Sequence, residues 1–133
     1  MKMTNFIYNS GDMAAPISSG SFITDGMIIV PCSMSSLASI SFGNAQTLIQ
    51  RAADVIIKEK RKLVLVPREI PLSIIHIENM LKLAKLGVTI LPPMPAFYNN
   101  PETLDDIINH IVSRILDQFS IENTLTKRWS GQL

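Results

Sequence analysis

Three runs of the chain are short, apolar and rich in β-branched residues: MIIVP at 27–31, LVLV at 63–66 and VTIL at 88–91. Runs of four or five without polar alternation predict strands covered on both faces, as in parallel sheets. The segments between them carry helical spacing instead. Ser33 is placed to cap a helix through MSSLASISF toward Gly43. Leu48, Ala52, Val55 and Ile56 recur at helical intervals and predict a helix over 45–60. Ser73 caps SIIHIENMLKLAKL, and Gly87 stands where a C-terminal stop is wanted. After a proline-rich loop, Asn100 and Pro101 predict a capped start for a last helix. Ile107, Ile108, Ile111, Val112, Ile115, Leu116 and Phe119 line one face of that helix. Residues 1–26 are rich in Ser, Gly and Asn and read as irregular, and beyond Ser120 the tail is mostly polar, with Leu125 and Trp129 among its few apolar residues.

Strands alternating with helices imply a parallel α/β sheet with right-handed crossovers, and such sheets bind ligands beyond the strand C-terminal ends. Three segments fall there: PCSMSS, PREIP and PPMPAFY. The adjacent Arg68 and Glu69 therefore face the mouth of a crevice, and Ser33 to Ser36 and Tyr98 lie on neighbouring loops. Three strands make a small sheet with two edges, and MIIVP is too apolar for an exposed edge. FIY at 6–8 is the one further strand candidate. Either another chain covers that edge, or the sequence lacks strands that a complete domain would have.

Composition narrows the partners. The chain has 133 residues, enough for one domain, 1–133, with a modest core. Its net charge of +1 does not favour a general nucleic-acid or anionic-membrane surface. Apolar runs stay far below the roughly 20 residues that span a bilayer, and the N-terminus has no signal-peptide core. The single cysteine, Cys32, permits no internal disulfide, so a cytoplasmic setting is expected. His76 and His110 are far apart and lack metal-ligand spacing, so no metal is expected.

The segments PISSGSF, IIVPCSM, RAADVIIKEKRKLVLVPREIPLS, IHIENMLKLAKLGVTILPPMPAFY and the late RW together resemble the UbiX-type flavin prenyltransferase family, from about Asp12 to Trp129. The resemblance implies a flavodoxin-like, Rossmann-like parallel three-layer sandwich. It also implies FMN as cofactor and transfer of dimethylallyl from dimethylallyl monophosphate to reduced FMN. The product, prenylated FMN, would serve UbiD-type decarboxylases. Members form homo-oligomers, commonly dodecamers, with sites at subunit junctions. They begin with a strand and a Gly-Ala-Ser-Gly loop that cradles the flavin phosphate. The glycines at 11, 20, 26, 43, 87 and 131 form no such loop. The sequence thus corresponds to roughly the C-terminal two-thirds of a member, truncated at the N-terminus, and this agrees with the missing neighbour of MIIVP.

The resemblance assigns roles that the residues by themselves leave open. Ser33, Met34, Ser35 and Ser36 sit at a strand-to-helix turn, where backbone N–H groups suit an electron-rich group. The family implies FMN there, whereas the residues alone suggest a helix cap. Ser19, in the loop Ser18 to Ser21, borders the flavin by resemblance. Arg68 is implied on FMN and Glu69 as the proton carrier, against a simple surface pair. Tyr98, Arg114 and Lys58 are implied on the donor phosphate, against solvated side chains, and Arg51 at the subunit junction. Trp129 is implied as a flap over the site. Apolar residues on more than one face of the 73–86 helix suggest a subunit contact. Two other readings are a non-catalytic remnant that keeps oligomer surfaces but cannot hold FMN, and a flavin-dependent cysteine decarboxylase relative. The PRE, FY and late Arg features argue against the second.

Overall fold

The structure is a computed structural model that describes residues 4–128 and 131; Trp129 lies outside the described residues. Its element order is a 3-10 turn at Pro16–Ser18, β1 (Gly26–Cys32), α1 (Met34–Ser41), α2 (Leu48–Lys58), β2 (Lys62–Pro67), α3 (Ile74–Lys85), β3 (Thr89–Ile90) and α4 (Leu104–Asp117). The strands form one parallel sheet in the order β1-β2-β3. β2 is central. Leu63 to Pro67 are all buried, which is why this strand shows no polar alternation.

Successive β2 side chains point to opposite faces and build two cores. Leu63 and Leu65 pack with Ile29, Met34, Leu37, Ile40, Ala53, Ile56 and Leu83 beneath α1, α2 and α3. Val64 and Val66 pack with Ile115 of α4, flanked by Ile28, Leu91, Ile111 and Phe119. Helices on both faces make the three-layer sandwich expected from the strand–helix alternation.

Local chemistry sets the helix starts. Ser33 caps α1, its Oγ accepting from Ser36 N at 3.1 Å. Thr47 with Gln50, Ser73 with His76, and Thr103 with Asp106 form three capping boxes. His76 Nδ1 accepts from Ser73 N at 3.2 Å, so this ring is a capping group.

The structure departs from expectation in three places. The last helix is capped by Thr103 and starts at Leu104, and Asn100 instead takes a left-handed turn with φ 50°. VTIL contributes only Thr89–Ile90 to the sheet. FIY forms no strand: Phe6 and Tyr8 stack at 6.3 Å and Ile7 is 88% exposed. β1 therefore remains an edge among the described residues. The surplus apolar surface of α3 is real, with Ile74, Ile75, Ile77 and Leu81 exposed while Asn79 and Leu83 are buried. Asn79 Oδ1 meets the Ser41 hydroxyl at 3.0 Å and joins α3 to α1.

Gly26 opens β1 with φ 150°, and an added Cβ there would meet the Lys62 carbonyl oxygen and lie 2.6 Å from Phe119 Cε1. Strain and overpacking together make Gly26→Ala cost about 2–3 kcal/mol. Chemical denaturation should show the midpoint falling; an unchanged midpoint would mean that Phe119 and β2 yield freely.

Candidate functional site

β2 places the central pair of the site. Cys32 pairs with Pro67, and Arg68 N donates to Cys32 O at 3.4 Å, so β1 and β2 finish side by side. Ser33 follows one strand and Arg68 the other. Arg68 and Glu69 are exposed and line a cavity of about 400 Å³ with Pro67, Ile70, Leu72, Met80 and Pro92 to Pro95. Polar groups from one strand end thus face apolar walls supplied by α3 and the proline-rich loop. No ion pair joins Arg68 to Glu69 among the described residues; Glu69 Oε1 accepts from Ile70 N at 3.2 Å. The simple surface-pair alternative therefore has no geometric basis.

A second hollow, about 290 Å³, lies across the Pro92–Met94 segment. It is lined by Thr89 to Pro92, Met94, His110, Ile111, Arg114 and Gln118. Pro92 and Met94 belong to both hollows, so Arg114 adjoins the Arg68 cavity without lining it. Tyr98 stands edge-on to the His110 ring at 5.9 Å. His110 Nδ1 is buried and has no hydrogen-bond partner among the described residues. A buried orphan nitrogen beside an arginine is the kind of group a ligand or partner satisfies.

Arg114 is held on α4. Its Nη1 donates to Asp117 Oδ2 at 2.8 Å, and Arg128 Nη2 donates to Asp117 Oδ1 at 2.7 Å. Hydrogen bonding from Arg128 first, then the charges of Arg128 and Arg114, hold the Asp117 carboxyl below the usual carboxylate range, against an opposing push from burial. A depressed folded pKa means that this contribution is full above the ordinary carboxylate value and fades as pH falls through the lowered one.

The helix-start residues occupy the third corner. Ser33 Oγ is engaged with Ser36 N and Ser36 Oγ, both at 3.1 Å, so the cap expected from the residues alone is present. Met34 packs its side chain into the core, which leaves its backbone N–H as what it offers a ligand. Ser35 is exposed beside them. Cys32 is fully buried and burial pushes its thiol up to about 11, so it is no nucleophile at neutral pH.

Two predicted residues are elsewhere. Lys58 ends α2 next to the start of β2 and pairs with Glu59 at 2.5 Å. Ser19 lies in the neighbouring loop, which Arg61 fastens by donating to Gly20 O at 2.6 Å and Phe22 O at 2.9 Å. β2 alone separates these residues from Arg68 by roughly 20 Å. Within one protomer, Ser19 and Lys58 therefore do not join Arg68, Glu69 and Ser33. Arg51 is occupied with Asp54 at 3.0 Å and with Ser18 O at 3.2 Å. The sequence reading missed His110 and Asp117. Asp117 carried a signal, the i,i+3 spacing from Arg114.

The family model described as Flavoprotein matches residues 5–116. A probable UbiX-like flavin prenyltransferase of Escherichia coli O157:H7 is 61% identical over 129 residues, 97% of this chain and 66% of the relative. The chain thus spans about two thirds of the length of the curated relatives it matches. Among solved structures, a dodecameric FMN-dependent UbiX-like decarboxylase from the same organism superposes with a TM-score of 0.93 at 62% identity, over 96% of this chain and 69% of the other. AnUbiX (PadA1), in complex with FMN and dimethylallyl pyrophosphate, gives a TM-score of 0.95 at 50% identity, over 97% and 69%. The expected flavodoxin-like α/β class stands on these superpositions. The strand-end chemistry, the three-layer sheet and these matches show that the chain belongs to the Flavoprotein family, in its UbiX-like branch.

Proposed function

We propose that the chain carries the acid–base and phosphate-contacting part of a flavin prenyltransferase. The reaction moves dimethylallyl from dimethylallyl monophosphate to reduced FMN, and the prenylated FMN goes to UbiD-type decarboxylases in the cytoplasm. One observation carries the proposal: Arg68 and Glu69 at the end of a strand buried from Leu63 to Pro67, facing an apolar cavity of about 400 Å³. That volume falls within the roughly 300–1,000 Å³ typical of cofactor and small-ligand pockets. Its Pro, Leu and Met walls suit a flat ring and a five-carbon allyl group, and the orphan His110 nitrogen marks an unfilled polar place nearby.

Each side chain then has a task. Ser33, Ser35 and Ser36, with the N–H groups at the start of α1, hold the flavin, and Arg68 adds a forked guanidinium. Bound reduced FMN supplies the electron-rich ring that accepts the dimethylallyl carbon. The donor's allylic C–O bond breaks with its electron pair going to phosphate, and Arg114 and Tyr98 stabilise that departing anion. Apolar walls keep water from the allylic fragment. Glu69 carries the proton released as the new bond forms. Lys58 and Ser19 reach a site only from a second copy, which fits a homo-oligomer and the exposed α3 face.

Their distance from Arg68 also favours a second reading: a non-catalytic, oligomer-forming module. Anaerobic incubation of the purified chain with reduced FMN and dimethylallyl monophosphate, read by mass spectrometry of the released flavin, separates the two. A flavin heavier by one dimethylallyl group is expected. A soluble assembly that retains no flavin and makes no product would establish the module instead.

A further inference from the structure

We infer that Asp117 is the positioning residue for Arg114, and that it fastens the C-terminal tail to the same point of the site through Arg128. The inference rests on the proposed phosphate-contacting role of Arg114, and its test is chosen to read the two separately.

Asp117 is the last residue of α4, one helical turn after Arg114. Both of its oxygens are engaged. Oδ2 accepts from Arg114 Nη1 at 2.8 Å and Arg128 Nη1 at 3.2 Å, and Oδ1 accepts from Arg128 Nη2 at 2.7 Å. The Asp117 side chain is only 15% exposed, whereas those of Arg114 and Arg128 are 55% and 57% exposed. A largely enclosed carboxylate held by two solvent-facing guanidinium groups is the fixed point of the cluster. Arg114 needs such a point. It is long, exposed and rich in rotamers, and a phosphate-binding guanidinium that must first be ordered loses affinity to that ordering.

The carboxylate directs only part of the arginine. Nη1 is committed to Asp117, which leaves the remaining N–H donors of a five-donor fork for a ligand in the hollow shared with His110. Arg128 serves a different purpose. Its two bonds to Asp117 bring residues after the Ser120 turn back onto α4. Arg114 orientation and tail docking therefore share one carboxylate.

Two probes suffice. Inorganic phosphate reports the anion site, and Trp129, the chain's only tryptophan, follows Arg128 directly in the sequence and reports the tail by fluorescence. Asp117→Asn in the full chain is expected to weaken phosphate binding about tenfold, the scale of losing one hydrogen bond between charged groups. Its Trp129 emission should shift. Asp117→Glu, which keeps the charge, should recover part of both signals. Arg128→Gln should reproduce the tryptophan change while leaving the phosphate dissociation constant within about twofold, because Arg114 keeps its tie to Asp117. Circular dichroism melts of each variant identify loss of folding; if Asp117→Asn is unfolded, the Asp117→Glu and Arg128→Gln pair decides. Wild-type chain that takes up no phosphate, an Asp117→Asn protein indistinguishable from wild type, or an Arg128→Gln loss as large as that of Asp117→Asn would each overturn the inference. Phosphate effects as described in a chain that makes no prenylated flavin would leave Asp117 in place and overturn the prenyltransferase reading only.

Discussion

Glu69→Gln in the assembled, flavin-loaded protein is expected to slow prenyl transfer by about two to four orders of magnitude while flavin is retained. Size and neutral hydrogen bonding are conserved, so only the capacity to accept a proton is removed. The substitution is structurally mild, because Glu69 is exposed, makes no ion pair with Arg68 and donates nothing to the core. Glutamine Oε1 can still accept from Ile70 N. The strand end, the cavity walls and Arg68 therefore stay where they are. Single-turnover kinetics with preloaded reduced FMN measure the chemical step, and flavin absorbance after gel filtration measures retention. A rate within tenfold of wild type would remove Glu69 from the proton path. A variant that has lost its flavin would instead make it a binding group.

Leu65→Ala is expected to lower unfolding stability by about 3–4 kcal/mol. Leu65 is fully buried, pairs across β1 at Ile29 and across β3 at Ile90, and packs under α1, α2 and α3. A loss of that size is a large fraction of the 5–15 kcal/mol that holds a typical domain together. The hole also lies where three elements meet, so local collapse cannot fill it without dragging a strand. Ile23→Ala, at a side chain 85% exposed, serves as the control and should stay within about 0.5 kcal/mol. Urea unfolding followed by circular dichroism compares them. Equal midpoints would mean that the β2 core is not what the chain depends on.

The parts of the fold legible in the sequence are those in which one local signal had no competitor. LVLV could be buried only on both faces, and Ser33 and Ser73 each stood directly before a helical pattern. At the start of α4 two signals competed. Asn100–Pro101 looked like a cap, but Asp106 accepts from both Glu102 N and Thr103 N at 3.0 and 2.9 Å, and this pulls the start to Thr103. VTIL was cut short by its neighbours: Pro92 and Pro93 have no N–H to extend a ladder, and Leu91 N makes the last bond, to Leu65 O at 2.8 Å. The wide apolar stripe of α4 is only partly buried. The sheet beneath it is narrow, so Ile108 and Val112 stay exposed while Ser113 is buried.

The site was legible in the same uneven way. Arg68 and Glu69 stood out because a buried strand rarely ends in two charges, and strand polarity fixed which end they occupied. The separation of Ser19 and Lys58 from Arg68 was not legible, since a motif match carries no information about which protomer supplies a residue. Arg128 was hidden for another reason: it meets Asp117 from 11 residues away, after a left-handed turn at Ser120 that has no strong sequence mark.

β2 joins the buried core to the proposed pair, Arg68 and Glu69, with only Pro67 between Val66 and Arg68. Heritable change has little room along that strand. A mutation there that alters reactivity also taxes folding, so lineages diverging in substrate should vary in the proline-rich segment and on α4, and keep β2 nearly fixed.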